Sequence, residues 1–573
     1  MVTSGTAFRV IFTALFAGAT FAGAEFRALS PAQSSGSEES GNDGNTFKVK
    51  HYGLELRINP SAKSIMGNLS INAIVISKHL KTISLDMADD LKVLSVKSEG
   101  CSANFEHNKG RLVIHLPHSY EAKCPFTVII AYHGFPTGSG FVFGEHGPVP
   151  MIYSYGLPFS AQQWFPCKDT PEDKAESADI TITVPATLYA VSNGKLTGKK
   201  TNRDGTKTFQ WKIHYPIYPD VISVAISNYS TFTLRYQYSP SESMPITFYV
   251  YPEDLEKAQR QFSVLPEMIK HHAAAFGAYP FLKEKYGVAE FAKRSFREHQ
   301  TIPSFAADLV TGDHQNDWVL AHELAHQWFG DCISVKNWSD VWLNEGFANY
   351  AYALWTESTG GKSSYFELMR RWDKDEFEGS VFVKDVRNAA QLFSETTFQK
   401  GAWILHMLRH VLGDAAFSRA LKSYVQTYAY KSASTEDFQR VCENEYGQPL
   451  DWFFKEWVYG RNRPTYQYSW LANRTGSVNT VRINIDQAQK DEQVFQMPLD
   501  VVIKSDKQEE RFVAWQSARS QSFDFTVAGI PKAVEIDPEG WVLKNIKRAG
   551  LTEKGRGEEA RTRPFPEGRI KCE

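Results

Sequence analysis

The chain has 573 residues, too many for one hydrophobic core, and at about 150 residues per domain it should divide into three or four. Its composition, 42% hydrophobic, 22% charged and 13% aromatic, is that of an ordinary soluble globular protein. A formal net charge of -2 excludes a global field that would draw nucleic acid or an anionic membrane, so function has to be read from local residues.

The N-terminus reads as an export signal over residues 1–24. Arg9 supplies a positive charge, an apolar run from Val10 to Phe21 follows, and Ala22-Gly23-Ala24 offers small residues to a signal peptidase. The competing reading, a membrane anchor, needs about 20 apolar residues, and this run is shorter. No later segment is apolar enough to span a bilayer, so stable membrane insertion is not expected. Export places the mature protein in the periplasm or the extracellular space. Residues 25–45, rich in Ser, Gly, Glu and Asn, have little to bury and read as a flexible linker.

From 46 to about 234 the pattern is alternating. Leu54, Leu56 and Ile58 face one way, as do Leu69, Ile71 and Ala73, with turn residues between the runs; this predicts a largely antiparallel β domain. Residues 235–460 change period. A helix is expected over 253–276 and a short strand from Lys285 to Phe291. Helical segments follow at about 314–329, 339–358, 362–376, 397–411, 413–428, 435–445 and 450–459. Alternation returns over 461–547, where Val481, Ile483 and Ile485 share a face and Asp537-Pro538 suggests a turn, as in a small β-sandwich. The charged, Gly/Pro-rich tail 548–573 reads as disordered. The fold class is thus multidomain α+β.

Six cysteines, Cys101, Cys124, Cys167, Cys332, Cys442 and Cys572, show no close metal-ligand spacing. In an exported chain Cys101 and Cys124, which bracket a β-like stretch, are the favoured disulfide pair, with separate buried thiols as the alternative.

The chemistry concentrates at His322-Glu323-Leu324-Ala325-His326. On a helix, residues four apart lie on one face, so both imidazoles can reach a single metal ion, and Asp313 is a candidate N-cap for that helix. Such a short pattern also arises by accident, and a His pair on a helix can be plain surface. Glu345, in Trp342-Leu343-Asn344-Glu345-Gly346-Phe347, argues otherwise: it lies 19 positions after His326, on the next expected helix, where its carboxylate can return to the histidines. Two His and one carboxylate leave a fourth tetrahedral position for water, as catalytic zinc requires. Zinc lowers the pKa of that water toward ~7 and polarises a carbonyl. Glu323 is placed to take the water's proton and pass it to the leaving amine. One zinc per chain is expected.

These residues resemble the gluzincin zinc aminopeptidases, which include alanyl and leucyl aminopeptidases and the leukotriene hydrolase. The stretch His322 to Tyr350 is similar to their zinc-binding segment, with the same 18-residue gap before the third ligand. Glu298, in Arg297-Glu298-His299-Gln300-Thr301, resembles the glutamate that holds the substrate's α-amine. Trp164-Phe165-Pro166-Cys167-Lys168-Asp169 and Asp173-Lys174-Ala175 look like a structural element of the family's N-terminal β domain. Lys400-Gly401-Ala402 and His406-Met407-Leu408-Arg409 resemble a helix downstream of the zinc. The resemblance covers roughly 47–546. It implies an N-terminal antiparallel β domain, a thermolysin-like, mainly helical catalytic domain and a C-terminal β-sandwich. That is the three-domain form without a C-terminal helical domain, and its pocket would be more open.

Three positions depart from the pattern. Phe398 stands where the family has a tyrosine whose hydroxyl donates to the transition-state oxyanion. The amine-binding loop reads Ser295-Phe296-Arg297-Glu298, with Ser295 in place of a glycine and Arg297 in place of an apolar residue; Arg297 would pair with Glu298 or point to solvent. Leu157 aligns with a second acidic residue of the amine site. The leading expectation is hydrolysis of N-terminal residues from peptide substrates. The alternatives are a catalytically weakened zinc peptide-binding homologue, or a hydrolase of internal peptide bonds or of a non-peptide such as an epoxide. Nucleic acid is not an expected partner, and oligomeric state is not legible.

Overall fold

The computed structural model describes residues 46–548 except 157, 292–295, 375–376 and 476–477. The expected export signal, linker, C-terminal tail and Cys572, together with Leu157 and Ser295, lie outside the described residues.

Alternation builds the first layer as expected. Leu54, Leu56 and Ile58 of the strand Phe47–Asn59 are buried, and Leu69, Ile71 and Ala73 of Ser64–Val75 meet them across an antiparallel ladder in which Leu54 pairs with Leu69. These strands lie in an eight-stranded sheet that is not wholly antiparallel, because Phe47–Asn59 also pairs in parallel with Ser177–Pro185. A three-stranded and a four-stranded sheet complete this part, the latter including Val149–Ser154 and Val224–Ser227. Cys101 is exposed, Cys124 is half-buried, and the two are separate free thiols; the expected disulfide is absent, and Cys167, Cys332 and Cys442 are buried thiols.

A five-stranded sheet follows, ordered Ser230–Gln237, Ser243–Val250, Tyr286–Phe291, Ser304–Ala306, Phe296–Arg297. The strand Ser230–Gln237 crosses the expected boundary at 234 and joins this sheet. Tyr286–Phe291, fully buried, matches the expected strand, while the short pair around 296–306 carried no alternation by which to foresee it. The helices lie close to their expected positions: Leu265–Phe276, Asp317–Ala325, Trp342–Arg371, Gly401–Leu412, Asp414–Tyr428 and Thr435–Tyr446. Trp342–Arg371 joins two expected helices across a break at Gly361, whose φ of 78° lies outside helical space.

The helices Trp342–Arg371 and Gly401–Leu412 cross at Gly346 and Gly401. A methyl group on Gly346 would stand 2.9 Å from the Cα of Gly401, and one on Gly401 2.9 Å from the Cα of Gly346. Only glycine lets the backbones approach this closely, and the contact sits one residue from Glu345. Gly346→Ala is therefore expected to cost about 1–3 kcal/mol, the usual price of overpacking, and to weaken zinc retention by displacing Glu345. Thermal melting and zinc content together check this.

Beyond residue 464, a four-stranded sheet including Thr465–Thr475 and Val478–Gln487 and a three-stranded sheet built on Met497–Ser505 form the C-terminal β layers. Val481, Ile483 and Ile485 are buried on one face. Asp537 makes the expected turn, its carboxylate accepting from the amides of Trp541 and Val542. That turn delivers Trp541 onto His406 and His410, with ring stacking at 4.7 and 5.1 Å. Burial keeps His406 neutral, with a pKa pushed down to about 3. The ring can then donate from Nε2 to the carbonyl of Gly540 and accept from Tyr365 at Nδ1. This is the physical role of the His406-to-Arg409 segment: it seats the β layers on the helices.

Candidate metal centre

The helix Asp317–Ala325 is buried from Val319 onward and contains neither Gly nor Pro. Its N-cap is Asn316, not Asp313. Asp313 instead accepts from Thr311 and Gln315 in the preceding turn, and so cannot reach the first helical amides. His322 and Glu323 lie within the helix and His326 follows at its C-cap, still with helical backbone angles, so the four-residue spacing brings the two imidazoles to one face. Glu345 comes from the first turn of Trp342–Arg371.

The three side chains converge. Nε2 of His322 and Nε2 of His326 are 3.0 Å apart, and Oε2 of Glu345 lies 3.4 Å from the first and 3.5 Å from the second. A tetrahedral zinc ion with bonds of about 2.0–2.1 Å needs its donors about 3.3–3.4 Å apart, so this triangle fits it. Glu323 also lies within 4.8 Å of both histidines, but at 4.0 Å from His322 it is farther than Glu345. Glu345, not Glu323, is the carboxylate placed to complete a ligand set.

The outer nitrogens are fixed as well. His322 Nδ1 donates to the side-chain oxygen of Asn349 (2.9 Å), and His326 Nδ1 donates to the carbonyl of Phe329 (3.0 Å). With each Nδ1 carrying the proton, each Nε2 presents a lone pair to the metal. Asn349 follows Glu345 by one helical turn, so one helix face supplies both a ligand and the partner that orients another ligand. Asn349→Ala is expected to lower zinc affinity by about 10–100-fold, measurable by competition with a chromophoric chelator.

Charge at the site favours a cation. Burial and neighbouring carboxylates hold the pKa of Glu323 and of Asp331 well above the carboxylate range. Burial opposes a charge on His326, yet Glu345 beside it prevails and raises its pKa to about 10. His322, with burial dominant, is lowered. Without metal, a proton on His326 answers the charge of Glu345, and zinc binding would expel that proton. Oε2 of Glu323 is buried with no hydrogen-bond partner among the described residues, an acceptor without its donor beside the ligand triangle.

Glu298 lies half-buried at the end of the strand Phe296–Arg297, and its charge acts on both Glu323 and His326. Its loop is held from two sides. Gln327, next to His326, accepts from the Thr301 amide (2.8 Å) and donates to Asp331 (2.7 Å). From the N-terminal β region, Asn193 donates to the carbonyl of Gln300, and the Gly194 amide donates to Thr301. Lys174 likewise donates to the carbonyls of Asp331 and Cys332, which explains the Asp173-Lys174-Ala175 element as a tie between the β region and the turn after the zinc helix.

Phe398 sits in a π-helical turn, Thr396–Lys400, with its ring 5.8 Å from that of His322 and inclined by 19°. It stacks on one of the three converging side chains. Arg297 follows neither expected course. Its guanidinium donates to the carbonyls of Tyr155 and Phe296 and lies 3.8 Å over the Tyr155 ring, because that ring and carbonyl offer a planar seat that Glu298 does not. Sequence reasoning missed Asn349 and Tyr155. The four-residue offset from Glu345 was a usable signal for Asn349; nothing local marked Tyr155.

A description of the peptidase family M1 domain matches residues 303–457, and one of the peptidase M1 N-terminal domain matches residues 48–217, together more than half of the chain. The probable aminopeptidase 2 of Sulfurisphaera tokodaii is 26% identical over 432 residues, 69% of this chain and 51% of that protein. The endoplasmic reticulum aminopeptidase 1 of Rattus norvegicus is 26% identical over 319 residues, 52% of this chain and 34% of that protein. The chain thus spans about half, or less, of the length of these curated relatives. An M1 zinc metallopeptidase from Deinococcus radiodurans, solved as a mutant bound to a Tyr-Ser-Ala substrate, superposes with a TM-score of 0.63 at 25% identity, covering 73% of this chain and 95% of that one. The aminopeptidase A of Legionella pneumophila, solved with aspartic acid, gives a TM-score of 0.75 over 90% of this chain and 60% of that one; at 18% identity this is a likeness of fold. With both family segments matched in order and the ligand triangle lying within the second of them, the chain belongs to peptidase family M1, the zinc-dependent gluzincins.

Proposed function

We propose that the protein is an exported zinc aminopeptidase that removes N-terminal residues from peptides. The observation that carries this is the triangle of His322, His326 and Glu345 with the unpartnered Glu323 oxygen beside it. When bound, zinc supplies Lewis-acid polarisation of the scissile carbonyl and a lowered pKa for water. Glu323 accepts a proton from the attacking water at Oε2 and returns it to the leaving amine, work suited to a carboxylate whose pKa is raised by burial. Glu298 receives the substrate's α-ammonium, which confines cleavage to the first peptide bond. The relatives called aminopeptidases support this reading.

Export rests on Arg9, the apolar run Val10 to Phe21 and Ala22-Gly23-Ala24, and it points to the periplasm or the extracellular space. No helix among the described residues is long and apolar enough to cross a membrane. One observation favours a second reading, a zinc peptide-binding protein with weakened catalysis: the phenyl ring of Phe398 beside His322 has no hydroxyl to donate to an oxyanion.

Release of a fluorophore from a panel of aminoacyl amides by zinc-loaded protein, with Glu323→Gln as control, tests the proposal. Cleavage by the wild type alone is expected. No cleavage of any amide by protein that holds zinc would remove the hydrolase reading and leave the binding one.

A further inference from the structure

Arg297 is held more firmly than it is satisfied. Nε donates to the carbonyl of Tyr155 (3.1 Å), Nη1 donates to the carbonyl of Phe296 (2.7 Å), and the guanidinium plane lies 3.8 Å over the Tyr155 ring. Its third nitrogen, Nη2, is buried and has no acceptor among the described residues. A buried guanidinium donor without an acceptor is costly, and an arginine fixed by backbone carbonyls and an aromatic face has little freedom to find one elsewhere. The carbonyls that hold it are neutral and supply no countercharge of their own.

The position of this donor matters. On its N-terminal side, the Phe296 ring lies 6.1 Å from that of His322, edge to face. On its C-terminal side, the charge of Glu298 is felt at Glu323 and His326. The positive charge of Arg297 is itself felt at Glu323, whose pKa it lowers against the larger effect of burial. Three successive residues, the strand Phe296–Arg297 and Glu298 just after it, therefore border the zinc centre, and the middle one presents a preorganised cationic donor. Tyr155, from the N-terminal β region, fixes its direction.

We propose that Arg297, seated on Tyr155, is a specificity-determining residue that receives a carboxylate of the substrate at the edge of the zinc centre. The inference rests on the proposed peptidase function for its substrate class. The carboxylate has two possible sources, an acidic side chain on the first residue or the C-terminus of a short peptide, and both would form the same charge-assisted hydrogen bonds with Nη2.

Two pairs of substrates separate the sources. Glutamyl against glutaminyl amides reads the side chain; Ala-Ala against Ala-Ala-amide reads the C-terminus. In the wild type, the acidic member of at least one pair should have a kcat/KM about tenfold or more above its neutral partner, the discrimination expected of a charge-assisted hydrogen bond. Arg297→Met, which keeps the length of the side chain, should bring that ratio to about one with zinc content unchanged. Arg297→Lys, which keeps the charge without the fork, should fall between them and guards against misfolding of the methionine variant. Calorimetric binding of Glu-Ala-Ala and Gln-Ala-Ala to zinc-loaded Glu323→Gln protein, with and without Arg297→Met, reads the same preference without turnover. If amides are cleaved but neither pair is discriminated, or if Arg297→Met leaves the ratios intact, the carboxylate site is overturned and the peptidase reading stands. If no amide is cleaved but binding still depends on Arg297, the peptidase reading falls and the carboxylate site stands.

Discussion

Glu323→Gln is expected to lower turnover on aminoacyl amides by about 10²–10⁴-fold, the range contributed by a positioned general base, while one zinc per chain is retained. The expectation for zinc follows from the ligand triangle: Glu345 lies nearer His322 than Glu323 does, so removing the Glu323 charge takes away no ligand. Fold stability should not suffer either. Oε2 of Glu323 is buried without a partner, and glutamine of nearly the same shape removes the need to bury a charge there. Thermal melting of the variant should therefore match or exceed that of the wild type. Metal analysis, melting and the amide panel on one preparation test all three statements. A variant that keeps its zinc and its fold yet cleaves as fast as the wild type would show that the proton is carried elsewhere.

Phe398→Tyr is expected to raise turnover, by up to about 10²–10³-fold, the cost typically measured when one oxyanion donor is removed. The ring already lies beside His322, stacked at 19°, so a hydroxyl added to it enters the neighbourhood of the metal without rebuilding the π-helical turn that carries it. The gain should appear in kcat with little change in KM, because such a donor acts on the charge that develops in the transition state. A rapid wild-type enzyme that Phe398→Tyr does not improve would mean that another donor serves the oxyanion, and would weaken the binding-protein reading. An inactive wild type that gains measurable turnover would support that reading for the natural chain.

Much of the site was legible because its geometry is local. The four-residue offset of His322 and His326 places them together on any regular helix. The 18 residues before Glu345 leave room for one reversal of the chain. Helix and strand positions followed from hydrophobic period in the same way, and the expected helices lie close to those observed. Misreadings came where a local signal met a nearer partner. Asp313 looked like a helix cap but is engaged by Thr311 and Gln315 in the turn before it. Cys101 and Cys124 bracketed a β segment but remain separate thiols.

What the sequence by itself determined, then, is which side chains come together, His322, His326 and Glu345 with Glu323 beside them, since helical periodicity and chain length suffice to bring those groups together. The tertiary structure decided how they are held and what surrounds them. The parallel pairing of Phe47–Asn59 with Ser177–Pro185, the glycine crossing of Gly346 on Gly401, the hydrogen bond from His322 to Asn349 and the seat of Arg297 on Tyr155 join residues far apart in the chain. Such contacts are chosen by packing and by the need of buried polar groups for partners, and no periodicity in the sequence encodes them.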